Sequence, residues 1–316
     1  MNRRQYLSTV GSLAVVSSLA GCLGGIMDSE EGEPLPDDHR ADERSINRAV
    51  GNLNKAAVSI DGAESGLENP DDVDFSPSEP RSFIDTARTE LEAVDNSDIG
   101  DELRNYSTVL EGMVDVLETL TDETLEEDIE TVSAEMDSGD TASATETLEI
   151  RSEETDDART SHDEAMDILG ALDRDSLEDH SIVEIDRVES GAETLGEVLG
   201  SFESLISGYE SMLSGHEGLD EGEERFDAGE YERAESAFEN AASSFADAAE
   251  TFSDGESDAP DSLEGYFDTA TCQSGHLEMA ATEFEEGASA ADDGDVLATQ
   301  RHQSNGEDAL EKAENC

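Results

Sequence analysis

Few side chains in this sequence could do chemistry. Three cysteines, Cys22, Cys272 and Cys316, and six histidines, His39, His162, His180, His216, His276 and His302, stand among 83 acidic residues. No two histidines lie at a helical i, i+3 or i+4 spacing, and none follows a glutamate by three residues. No local pair therefore builds a zinc or di-metal carboxylate site. His180 and Glu184 are four apart and read as a solvated surface pair, while His276 and Glu278 point to different sides of a helix. A nucleophilic Cys272 would need a setting that favours the thiolate, which so acidic a chain opposes. The sequence holds no Gly-x-Ser-x-Gly, no P-loop, and no Gly-x-Gly-x-x-Gly after a strand. Acidic clusters at Glu126-Glu127-Asp128, Glu153-Glu154 with Asp156-Asp157, and Glu221 with Glu223-Glu224 lack the alternating spacing that wraps one calcium ion. They read as solvated faces. The expectation is no enzyme, no cofactor and no metal.

The charge balance excludes further classes. Asp and Glu outnumber Lys and Arg 83 to 17, for a formal net charge of −66, and only Lys55 and Lys312 are lysines. Such a field repels nucleic acid and anionic head groups, so nucleic-acid binding is excluded. Apolar residues nevertheless recur at helical spacing through most of the chain, which is the pattern of a folded protein and not of a disordered acidic one. In molar salt the screening length falls to ~3 Å and self-repulsion fades. The acidity therefore reads first as adaptation to brine, and it resembles haloarchaeal composition.

The elements that must position these residues begin with an address. Arg3 and Arg4 precede an apolar run, Val10 to Ala20, too short to span a bilayer as a helix. It ends in Leu19-Ala20-Gly21-Cys22, an apolar residue and two small ones before a cysteine. Together these residues resemble the Tat-type lipoprotein signals of haloarchaea. The resemblance implies removal of residues 1–21, lipid on Cys22, and anchoring at the outer face of the cytoplasmic membrane. Residues 22–42, with Gly-Gly, Glu-Glu-Gly-Glu and Pro34-Leu35-Pro36, read as a flexible tether.

From Glu43 the pattern is helical, and the fold class is all-α, built of antiparallel helical hairpins. Ile46, Val50, Leu53, Ala57 and Ile60 stripe a first helix. Ser78-Glu79-Pro80 starts a second. A third carries Leu103 to Leu120, a fourth Ile129 to Met136, and a fifth Ala144 to Leu172, with a polar middle from Arg151 to Asp157. A soft boundary at 173–180 separates an N-terminal helical region, 43–172, from a C-terminal hairpin region, 181–316. The next helix bears Leu195, Leu199, Phe202, Ile206, Tyr209, Leu213 and His216 at alternating steps of four and three, a heptad seam. His216 continues that seam and reads as a core or edge residue.

Between Glu221 and Ala249, the residues Gly222, Phe226, Gly229, Tyr231, Ala234, Phe238 and Ala241 lie at offsets that resemble one tetratricopeptide-type helical hairpin. Gly229 permits the left-handed turn that ends a helix, the alanines permit close approach, and the aromatics fill the groove. The stretch lacks the family's Trp, its closing Pro and a fixed 34-residue period. Gly139-Asp140 and Gly294-Asp295 echo the same turn. In the last hairpin Cys272 lies 21 residues before Asp293 and Cys316 lies 23 after it. At ~1.5 Å per residue, antiparallel helices bring both to about one height. A disulfide is sterically open to them; two unpaired thiols are the other outcome.

The implied function is a membrane-anchored cell-surface scaffold that offers the Phe226–Phe238 hairpin groove to an unidentified protein partner. The same residues serve equally well as core. The alternative is a small-ligand or metal-binding bundle serving a transporter or sensor, with Tyr209, His216 and Tyr231 as the polar groups inside the seam.

Overall fold

The structure, a computed structural model, describes residues 37–64, 75–94, 97–121, 124–137, 139–182, 185–257, 259–260 and 263–316. Arg3, Arg4, Cys22 and the tether as far as residue 36 lie outside the described residues. The protein is all-α. Ten helices and no strand occur among the described residues: α1 (Asp37–Glu64), α2 (Ser78–Leu91), α3 (Asp98–Leu120), α4 (Thr124–Asp137), α5 (Thr141–Ala171), α6 (Arg174–Asp179), α7 (Ile185–Asp227), α8 (Tyr231–Glu256), α9 (Glu264–Asp292) and α10 (Val296–Ala313). No described helix is long and apolar enough to cross a membrane.

Helix α1 starts at Asp37, inside the stretch read from sequence as tether to residue 42. Pro36 is the last residue unable to continue a helix, and the acids that follow it favour a helix N-terminus. The sequence places a soft boundary at residues 173–180. They hold α6, whose Leu177 is fully buried, and one apolar core runs without interruption from Ala49 on α1 to Ala313 on α10. Helices α1, α2 and α5 pack on α3, whose Tyr106, Leu110 and Met113 are buried, and α4 packs on α5. Helix α7 is common to both halves: it packs on α5 along one side and on α8 along another, and α8, α9 and α10 follow in order.

The polar middle of α5 has a specific use. Arg151 and Thr155 face inward there, with Ala158 buried one turn on. The Arg151 guanidinium donates from Nε to Asp128 Oδ2 at 2.7 Å and from Nη1 to Glu154 Oε2 at 2.7 Å, while the Thr155 hydroxyl donates to the Arg151 carbonyl. A buried guanidinium is tolerable only when its donors are taken up, and the acidic clusters supply the acceptors. Arg159 then ties α5 to α7 with a two-pronged bond to Glu203, 2.7 and 2.6 Å.

Candidate functional site

Glycines on α7 and phenylalanines on α8 set the architecture of the C-terminal half. Gly208, Gly215 and Gly222 recur every seven residues on α7, and Phe252, Phe245 and Phe238 recur every seven on α8. In the antiparallel pair each ring lies where the glycine has no side chain: a Cβ at Gly208 would meet Phe252, one at Gly215 would meet Phe245, and one at Gly222 would meet Phe238, all inside 3.0 Å. The device continues outward. Gly255 of α8 makes room for Phe267 of α9, and Gly306 of α10 makes room for Phe284 of α9. Five of the nine phenylalanines are seated this way. Ala234, Ala241 and Ala248 hold the intervening heptad positions of α8, all fully buried, and keep the two backbones close.

Three glycine turns join the hairpins in one geometry. Gly139, Gly229 and Gly294 have φ of 78, 73 and 76°, in the left-handed region. In each, the glycine N–H donates to a carbonyl three residues back and the next residue's N–H donates to one five back, as Asp295 does to Ala290 at 2.9 Å. These are Schellman turns. The acid after the glycine opens the following helix: Asp140 and Asp295 accept from Ser143 N and Ala298 N, whereas Glu230 instead binds Arg233 at 2.8 Å and Arg225 at 3.3 Å. Each glycine–acid pair thus ends one helix and starts the next within a connection of three residues.

The sequence-predicted groove residues divide on this frame. Gly222, Ala234, Phe238 and Ala241 are buried in the α7–α8 seam, so they fill the interface instead of lining an open groove. Glycine at 222 removes the wall that a groove would need, and the Phe238 ring occupies the space. Gly229 is exposed at the turn, and Phe226 and Tyr231 flank it half-buried, ring on ring at 5.2 Å. Helices of 43 and 26 residues also exceed what a 34-residue two-helix repeat can hold. The polar groups named for a ligand are engaged by rings: Tyr209 meets Phe252 at 5.3 Å and His216 meets Phe245 at 5.4 Å, both edge-on. The cavity that touches Tyr209, Ile206 and Arg151 holds only about 10 Å³.

Antiparallel order sets the α7–α8 and α9–α10 turns at the same end. Phe238, eight residues after Glu230, meets Phe284, nine residues before Asp293, at 5.6 Å. That end carries Phe226 and Tyr231 at one turn and the exposed apolar pair Val296 (65%) and Leu297 (79%) at the other. At the far end, Cys272 and Cys316 are joined by a disulfide with Cα atoms 5.9 Å apart, closing α10 onto α9. Between the ends, two open polar clefts of about 380 and 360 Å³ share Asp308 and Lys312, the first lined also by Met279, Glu283 and Asn305, the second by His276 and the cysteines.

Sequence reasoning missed the glycine–phenylalanine seam and the clefts. The seven-residue recurrence of Gly208, Gly215 and Gly222 is the signal that would have found the first. No protein-family model, curated protein or solved structure matches this chain.

Proposed function

We propose that this protein is a lipid-anchored surface scaffold of a halophilic archaeon, exported by the Tat route through Arg3 and Arg4, held at the outer membrane face by lipid on Cys22, and docking a protein partner at its turn-bearing end. The observation that carries the reading is a pair of adjacent large apolar side chains left in water, whereas Val58, Ile150 and Met279 are exposed singly. On a surface with a formal charge of −66, Val296 and Leu297 stand exposed beside each other at the tip of the last hairpin. The half-buried Phe226 and Tyr231 occupy the neighbouring tip. Exposed apolar groups at the end of a stiff helical layer suit contact with another protein. The disulfide at the opposite end keeps the last hairpin from splaying when it is loaded.

The ligand-bundle alternative needs convergent polar groups around an internal space. About 10 Å³ beside Tyr209 accommodates no more than a single water. The scaffold reading is tested in native membranes at molar salt, using carboxylate-reactive cross-linkers because Lys55 and Lys312 are the only lysines. One recurrent protein joined near residues 223–232 or 292–300, and lost in a Val296→Glu, Leu297→Glu variant, supports it. Uniform cross-linking without a recurrent protein refutes it. The mass of the Cys22 peptide reports on the anchor in the same run.

A further inference from the structure

The α9–α10 hairpin brings His302 of α10 to Glu283 and Glu286, which lie three residues apart on α9. Glu286 lies seven residues before Asp293 and His302 seven after Asp295, so the two share a height on facing helices, with Glu283 one turn below. His302 Nδ1 lies 2.8 Å from Glu283 Oε2 and 3.0 Å from Glu286 Oε2. The three potential ligand atoms all fall within 4.8 Å of one another. Around a divalent ion with bonds of about 2.0–2.2 Å, neighbouring ligand atoms stand roughly 3–3.5 Å apart. The present spacing needs only a slight opening to admit one.

The surroundings hold the group in place. The missing Cβ of Gly287 would stand 3.4 Å from the Cβ of His302, so the helices run close at this height, and Phe284 locks them one turn away in the space left by Gly306. Asn305 Nδ2 donates to Glu283 Oε2 at 3.0 Å and orients that carboxylate. The imidazole tautomer follows from its partners. Carboxylates only accept, so Nδ1 carries the proton; Arg301 Nη2, 2.8 Å from Nε2, only donates, so Nε2 is the acceptor.

We propose that Glu283, Glu286 and His302 bind a divalent first-row transition cation. On binding, the Nδ1 proton passes to Nε2 through solvent, Nδ1 joins the two carboxylates as ligand, and exposed Arg301 swings away. No proton is lost overall when the imidazole is neutral. An imidazole in the set favours zinc-like ions over the magnesium and calcium of a brine, which take oxygen ligands. Three protein ligands leave a coordination position for water or a ligand from a partner, in contrast to a closed structural site.

The test is Zn²⁺ titration of the full disulfide-bonded chain by calorimetry, in molar KCl with excess Mg²⁺ and no reductant. One equivalent should bind, weakened by at least about tenfold in His302→Gln and in Glu286→Gln. Binding should tighten in Arg301→Gln, which removes a competing donor and a positive charge, and stay unchanged in His276→Gln. Circular dichroism establishes that each variant keeps its helix content. In the unsubstituted protein, nitrogen NMR should show Zn²⁺ shifting Nδ1 of a single histidine. No binding under excess Mg²⁺, equal binding by His302→Gln, or no selective Nδ1 shift overturns the proposal.

Discussion

Replacing Gly215 by alanine tests the seam most sharply, because two effects of known size oppose each other there. In an exposed helix interior, Gly→Ala stabilises by about 0.5–1 kcal/mol, since glycine loses the most backbone entropy on folding. At Gly215 the new Cβ would stand 2.5 Å from Phe245 Cε1, whereas carbons in contact sit about 3.5–4.0 Å apart. The ring is fully buried and has His216 edge-on at 5.4 Å, so it cannot retreat. The helices must then separate by roughly 1 Å against the Gly208–Phe252 and Gly222–Phe238 pairs on either side. Overpacking of this kind costs about 1–3 kcal/mol, leaving a net loss of up to about 2.5 kcal/mol after the propensity gain. Urea unfolding at molar KCl, followed by circular dichroism, should show that loss. Gly51→Ala, where a Cβ meets nothing within 4 Å, should instead stabilise by about 0.5–1 kcal/mol. Phe245→Ala alone should cost about 3–5 kcal/mol, and in that background Gly215→Ala should change sign and become stabilising. If Gly215→Ala stabilises in both backgrounds, the glycines are not seats for the rings and the reasoning fails.

Three further outcomes can be measured on the same preparation. Lowering KCl below about 0.5 M lengthens the screening distance and should weaken helix signal and blunt the thermal transition through carboxylate repulsion; a sharp transition in dilute buffer would contradict the brine reading. Partial burial of the carboxylate and then the charge of Asp156 on α5 push the Glu210 carboxyl above its ordinary range, so the folded state takes up this proton more readily than the unfolded chain and stability rises as pH falls through the raised value. Glu210→Gln should therefore raise the melting temperature at neutral pH, with the gain shrinking on acidification as the unsubstituted protein protonates; a gain independent of pH would exclude the assignment. Opening the Cys272–Cys316 bond, which spans 44 residues, should cost about 4 kcal/mol in the chain-entropy model and free α10 first, seen as faster hydrogen exchange at Ala309 and Ala313; unchanged exchange in Cys316→Ser would rule that out.

What can be read from this sequence is what local rules determine. The helices are legible from apolar residues at steps of three and four, and the turns from Gly139, Gly229 and Gly294 each followed by an acid. The matched reach of Cys272 and Cys316 from the last turn is a length argument, and length is fixed once two helices are known to be antiparallel. Arg151 is harder, because a guanidinium inside α5 makes sense only after Asp128 arrives from α4 and Glu154 from one turn away. His302 shows the limit most plainly. Spacing along one helix cannot pair it with Glu283 and Glu286, since their meeting depends on the register of α10 against α9, which Gly306 and Phe284 set. The buried state of Phe238 and Ala241 was hidden for the same reason: small and aromatic residues at helical intervals describe an open groove and a closed seam equally well.

Register is also where the glycine seam explains the rest of the composition. A protein with 83 acidic side chains in 316 residues has little apolar surface left to specify how long helices align. Leucine stripes alone would tolerate sliding by a turn with small loss. A phenylalanine seated in a glycine gap does not, because a slip of three or four residues sets Phe252 against the Cβ of Leu205, Ser211, Ser204 or Met212 on α7. A slip of seven keeps two of the three α7–α8 pairs but strands the third ring and stretches the short Gly229 turn, which only one register closes. With aromatics at 4% of the chain, five phenylalanines placed this way align four helices. That same alignment brings the two hairpin tips to one end and His302 beside its carboxylates, so the proposed docking end and the proposed cation site both depend on it.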